Sequence, residues 1–316
     1  MENKEKIKLS ICRRQKTGFA GTLGMGYLIQ SLINSDLFEI DYHEDIFRTA
    51  KGERGSTILC NGKRIYLDLW DYAAPTYCEK TFNEGFDLII KLQDRRLDGY
   101  DRENHMDLPD ADFKSRYKWL TRKRILVKEE GEMRSYFENI VPWTFFPSKM
   151  FFKYIDNEEV LIDDDFGDSN LGFFCGKGWK CRKGVARAIQ KKGIEVELNK
   201  GRPCTDEEFL KRMKSSKLGV VLGGRSCALT DKKNRREVDY MMMKKPVIIN
   251  YRPFYYNELV EGEHYIFIDQ RTDIASLGEK YDLDKIAKNG HEWYLNNASP
   301  MGAAKVFKKI LMDRIF

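Results

Sequence analysis

Apolar residues recur in short runs of five to seven, set between longer stretches in which they return every third or fourth position, and this alternation of period predicts strands followed by helices. IKLSIC (7–12) is a short strand, GMGYLIQSLIN (24–34) a helix and FEIDY (38–42) a second strand, with the glycine-rich segment 13–24 between strand and helix. This order is a βαβ opening. STILC (56–60) and KRIYLDL (63–69) flank Asn61-Gly62, a turn signal that predicts a hairpin. DLIIKLQ (87–93) reads as a buried parallel strand, 94–112 as a polar loop and RILVKE (124–129) as another strand.

The centre is different. VPWTFFPSKMFFKYI (141–155) is aromatic, and the acidic stretch 156–170 follows it. A second alternation then starts: strand 171–176, helix 181–193, strand 194–199, helix 205–216, strand 218–223, loop 224–234, helix 235–245, strand 246–250, strand 264–269 and a last helix near 302–314. Thr205 with Glu208 three residues on is a capping box. The expected fold class is α/β, as two Rossmann-like domains with a cleft between them. The expected boundaries are 1–156 for an N-terminal acceptor domain and 157–298 for a C-terminal donor domain. The helix within 299–316 is expected to pack back on the N-terminal domain.

Composition narrows the class. Of 316 residues, 42% are hydrophobic and 33% charged, a balance that forms a core and is not that of a disordered chain. The net charge of +6 is small against 104 ionised groups, which argues against a nucleic-acid binder and suits a small anionic ligand. Seven scattered cysteines without CxxC spacing predict neither a disulfide framework nor structural zinc. The charged start MENKEKIKLSIC lacks the apolar stretch of a signal peptide, and no run approaches 18 apolar residues, so the expected location is cytoplasmic with no transmembrane segment.

In open α/β sheets ligands lie beyond the carboxyl ends of the strands, where helix N-termini offer N–H groups to phosphate. Three loops of the second half meet this condition. Gly176-Lys177-Gly178 allows close backbone approach and supplies a cation, Gly224-Arg225-Ser226 ends the strand 218–223, and Arg235-Arg236 opens a helix. Cations at a helix start oppose the dipole, and a bound anion would relieve that cost. In the first half, Arg13, Gly18 and Thr22 of the glycine-rich loop are candidates for gripping an acceptor or a diphosphate. Asp163-Asp164-Asp165 contains D-x-D, read here as a solvated linker rather than a metal site. The four histidines (43, 105, 264 and 291) lack metal-ligand spacing, so no metal is expected.

The segment RREVDYMMMKKPVIINYRPFYYNELVEGEHYIFID (235–269) resembles the donor-binding half of GT-B-type glycosyltransferases, in which an acidic residue and an apolar helix precede a Pro-Val-Ile strand. GEHYIFID followed by RTDIASL is also similar to exostosin-like and capsule-associated sugar transferases, and the likeness covers 171–280. The resemblance implies that Asp239 binds ribose hydroxyls and that Arg236 touches the diphosphate of a UDP- or GDP-linked sugar. Two positions depart from the family pattern. Asp239 replaces the commoner Glu, with Glu237 nearby, and Lys244 stands where glycine is usual. The activity implied is metal-independent transfer of a sugar to a glycan or glycoprotein hydroxyl, with no cofactor beyond the donor. An inverting enzyme needs a carboxylate base. Asp71 and Asp94, which follow apolar strands, are the candidates, ahead of Asp68 inside its strand. The alternatives are a Rossmann-type NAD-dependent oxidoreductase, which would need a dinucleotide fingerprint that GFAGTLGMG does not supply, and a two-domain ligand-binding protein without catalysis.

Overall fold

The structure, a computed structural model, describes residues 6–12, 23–43, 56–68, 86–91, 140–143, 146–162, 170–177, 180–199, 205–223, 235–251, 253, 255–269 and 271–316. The chain divides into two units, Met1–Thr144 with Pro300–Phe316, and Phe145–Ser299. Each is built on its own sheet, and the class is mixed α/β.

The first unit has a six-stranded sheet in the order β2-β1-β3-β4-β5-β6. Its strands are β1 (Ile7–Cys12), β2 (Phe38–His43), β3 (Ser56–Cys60), β4 (Lys63–Asp68), β5 (Leu88–Lys91) and β6 (Ile140–Pro142). Helix α1 (Leu23–Asn34) joins the parallel pair β1 and β2. The hairpin forms where Asn61-Gly62 predicts it, with both residues left-handed at φ 49° and 73°. Such a turn matches strand twist, and its positive φ favours Asn and Gly. The hairpin makes this sheet a mixed one. β3 runs antiparallel to both β1 and β4 and stands between them, while β4, β5 and β6 are mutually parallel. Leu9, Ile11, Leu28, Ile58, Ile65 and Ile90 are buried on this sheet. The C-terminal helix, here α6 (Pro300–Arg314), belongs to this unit and sends Phe307 against Phe38 and Trp143.

The second unit has a five-stranded, all-parallel sheet. Its strands are β7 (Asn170–Lys177), β8 (Glu195–Asn199), β9 (Ser216–Val221), β10 (Val247–Ile249) and β11 (Ile266–Phe267), in the order β8-β7-β9-β10-β11. Side chains alternate across a strand, so Phe173 and Phe174 serve opposite faces. On one face, Val185, Ala186 and Ile189 of α2 (Lys180–Gln190) and Ile286 of α5 (Leu283–Asn297) join Phe174, Val220 and Ile248 in one apolar cluster. On the other, Phe209 of α3 (Asp206–Ser215) meets Phe173 at 5.4 Å, and Tyr240 of α4 (Arg235–Met242) covers Gly219. The chain thus leaves β7 by a helix on one face to reach β8, then crosses back over β7 by a helix on the other face to reach β9. A constant crossover hand requires this change of face.

Thr205 caps α3 by accepting from the Glu208 N–H at 3.2 Å. The segment 264–269 gives only the two-residue strand β11, and α5, which the sequence reading does not place, is a full helix with Asp282 as its N-cap.

Candidate functional site

Strand order decides where this unit has room for a ligand. β8 and β9 lie on either side of β7, so the chain departs in opposite directions from the carboxyl ends of β7 and β9. The strand order thus reverses between β7 and β9, and in doubly wound sheets such a switch point is where ligands lie. β7 ends at Gly176-Lys177, paired in register with Leu198-Asn199 of β8. β9 runs on to Leu222 and Gly223, and the Gly223 N–H donates to the Asn250 side-chain oxygen at 2.6 Å, joining the ends of β9 and β10. α2 begins three residues after Lys177, and its first turn contains no carboxylate.

Of the donor residues read from the sequence, Gly176 is half-buried at this edge and Lys177 is the last residue of β7. Arg235 opens α4. Gly178, Gly224, Arg225 and Ser226 lie outside the described residues, as do Asp163 to Asp165.

Arg236 and Asp239 are brought together on α4 but occupied within the unit. Asp239 is fully buried, and its carboxylate accepts from the Ser148 N–H at 2.6 Å and the Ser148 hydroxyl at 2.5 Å. The carboxylate for which the resemblance implies ribose binding is therefore engaged by Ser148 in this structure. The Arg236 guanidinium, for which the resemblance implies a diphosphate contact, lies 4.0 Å from the centre of the Phe209 ring, a cation–π seat on the sheet face.

Glu237 is the acid that the sequence reading passes over. It too is fully buried, and the hydroxyls of Tyr251 and Tyr255 donate to its two oxygens. This ties the segment after β10 to the first turn of α4. The available signal was the density of tyrosine in NYRPFYYN, since buried tyrosine hydroxyls seek acceptors. Tyr240 donates to the Phe173 carbonyl at 2.6 Å, and burial pushes its phenol well above its usual range.

In the first unit Asp71 and Asp94 lie outside the described residues, as do Arg13, Gly18 and Thr22. The strands that lead to the two aspartates are described. β4 and β5 are parallel neighbours whose last residues, Asp68 and Lys91, stand opposite each other in register. Lys91 is fully buried, a cation at the end of an apolar strand that the sequence reading did not single out. Among the described residues no group of three or more His, Cys, Asp or Glu side chains is placed to hold a metal ion, and no helix is long and apolar enough to cross a membrane. No protein-family model matches the sequence, and no curated protein sequence matches it.

Proposed function

We propose that the chain is a sugar transferase whose second unit holds a nucleotide-sugar donor at the carboxyl edge of the β8-β7-β9-β10-β11 sheet. One observation carries this reading: the switch point falls between two strands that end in glycine-containing segments, Gly176-Lys177 and Leu222-Gly223. Glycine lets a ligand approach the backbone, and the α2 N-terminus after β7 offers N–H groups to phosphate.

In this reading the acceptor hydroxyl oxygen attacks the anomeric carbon, and the bond from that carbon to the diphosphate oxygen breaks. The hydroxyl proton passes to a carboxylate base, the role for which the sequence offers Asp71 and Asp94. The diphosphate departs with the bonding electrons, its charge met by Lys177 and the α2 N–H groups. Asp239 and Glu237 act as positioning residues that fix α4 and the segment after β10.

The test is thermal unfolding of the full chain with UDP, GDP, ADP, NAD and FMN. Nucleoside diphosphates should raise the melting temperature, and the rise should grow with the logarithm of their concentration above Kd. A response to NAD or FMN alone, or to none of the five at millimolar concentration, overturns the proposal.

A further inference from the structure

Two segments of the sequence, 114–128 and 177–193, each have seven Lys or Arg residues and no Asp or Glu; the first lies outside the described residues and the second contains helix α2. Helix α2 presents its cations in an ordered way. Its apolar side, Val185, Ala186 and Ile189, is buried in the core. Positions 180, 183, 187 and 191 succeed one another at three- and four-residue spacing, which puts them in one row about 16 Å long on a helix rising 1.5 Å per residue. Lys183, Arg187 and Lys191 are exposed, and among the described residues no carboxylate pairs with any of them. Gly184, between Lys183 and Arg187, keeps the row low.

The arrangement works against the helix itself. Basic residues occupy positions 180, 182 and 183 of the first turn of α2, the positive end of its dipole, where α3 of the same unit has Asp206, Glu207 and Glu208. A row that opposes local stability and that no carboxylate pairs among the described residues is suited to an external anion.

The surroundings select its shape and chemistry. Lys192 pairs with Asp273 at 3.0 Å, and the segment 269–285 on the same face exposes five carboxylates against three cations. A broad anionic plane such as a membrane would have to meet those carboxylates as well as the cations, which favours a narrow, linear anion along the row. The exposed side of α2 has no aromatic residue on which bases would stack, which disfavours single-stranded nucleic acid. We infer that the outer face of α2 is a docking track for a linear acidic polysaccharide, one carboxylate- or sulfate-bearing strand held by Lys183, Arg187 and Lys191. This rests on the sugar-transfer reading only in making that strand the acceptor glycan.

The experiment is titration of the full chain with labelled oligogalacturonate at low salt, with neutral dextran, an RNA oligonucleotide and phosphatidylserine-containing vesicles as comparators. Oligogalacturonate should bind, dextran should not, and salt should weaken binding because the contacts are exposed charges. The triple variant Lys183→Gln, Arg187→Gln, Lys191→Gln should raise the dissociation constant at least ten-fold. Lys183→Glu should weaken binding while leaving the melting temperature equal to or above that of the wild type. Unchanged binding in the triple variant, no binding by the wild type, or equal affinity for RNA or vesicles overturns the inference. The triple variant should still respond to nucleoside diphosphates, so loss of that response alone in the wild type would count against the donor site and not against the track.

Discussion

Ser148 donates its backbone N–H and its hydroxyl to the two oxygens of Asp239, which stands 91 residues further along the chain. The contact pins the segment entering the second unit to the middle of α4. Both partners are buried, so neither is exchanged for water at low cost.

Asp239→Ala leaves the Ser148 N–H without its acceptor, and should destabilise the second unit by about 3 kcal/mol, the scale of losing charged hydrogen bonds in the interior. Ser148→Ala keeps the backbone bond and should cost about half as much. Urea unfolding followed by far-ultraviolet circular dichroism reads both values. Asp239→Asn with wild-type stability and lost nucleotide affinity would instead point to the ribose role.

The C-terminus of α4 explains one departure from the glycosyltransferase pattern. Lys245 N–H bonds to the Tyr240 carbonyl and Lys244 N–H to the Met241 carbonyl, both at 3.0 Å, with Lys244 left-handed at φ 53°. This is the Schellman arrangement, whose left-handed position favours glycine because a Cβ there crowds the backbone. Lys244→Gly should therefore raise stability, by about 0.5–1 kcal/mol once the extra freedom of glycine in the unfolded chain is offset. A lower urea midpoint for Lys244→Gly than for wild type would contradict this account.

Local chemistry was what the sequence made legible. The Asn61-Gly62 hairpin, the Thr205 capping box and the apolar strands of both sheets depend on residues close in the chain, and the structure has them. The antiparallel placement of β3 between β1 and β4 depends on which strands pair at a distance, and alternation within a strand is silent on that. The same limit hid the tasks of Asp239 and Glu237. Sequence spacing put them on one helix, but their partners Ser148, Tyr251 and Tyr255 come from other elements. Helix α5 was missed although Ile286, Gly290, Trp293 and Tyr294 recur at helical spacing and are buried, because the polar residues of LDKIAKNGHEW dilute the apolar signal.

Gly219 exists for Tyr240. A Cβ at 219 would lie 2.3 Å from the ring carbon Cγ, and the ring is fixed by burial and by its hydroxyl bond to the Phe173 carbonyl. Gly219→Ala should cost roughly 3 kcal/mol, at the upper end of overpacking. The cost should shrink in the Tyr240→Ala background, where the ring is gone. A double-mutant cycle that comes out additive would show that the clash is relieved elsewhere.

Two histidines of the second unit make its stability depend on pH, and the sign follows from their surroundings. Burial holds His291 below its usual 6.5, with Lys244 adding to the effect, and its Nδ1 lies 3.0 Å from the Met241 carbonyl, which only accepts, so Nδ1 holds the proton of the neutral ring. Burial likewise lowers His264, whose Nδ1 accepts from the Val260 N–H at 2.9 Å, so protonation there would displace that bond. In both cases the unfolded chain binds a proton more readily than the folded one. Stability from these groups is therefore complete above the unfolded value near 6.5 and is lost as pH falls toward their lowered folded values. Asp269 acts in the same direction at more acid pH. Burial opposes its ionisation, but bonds from the Arg271 and Thr272 N–H groups and the Thr272 hydroxyl outweigh it and hold the carboxyl below its usual range. Urea midpoints should fall between pH 7.5 and pH 5.5, and the slope should diminish in His291→Gln, which keeps a donor for the Met241 carbonyl but does not titrate. A midpoint that is flat across this interval, or a slope unchanged in both His291→Gln and His264→Gln, would remove these histidines as its source.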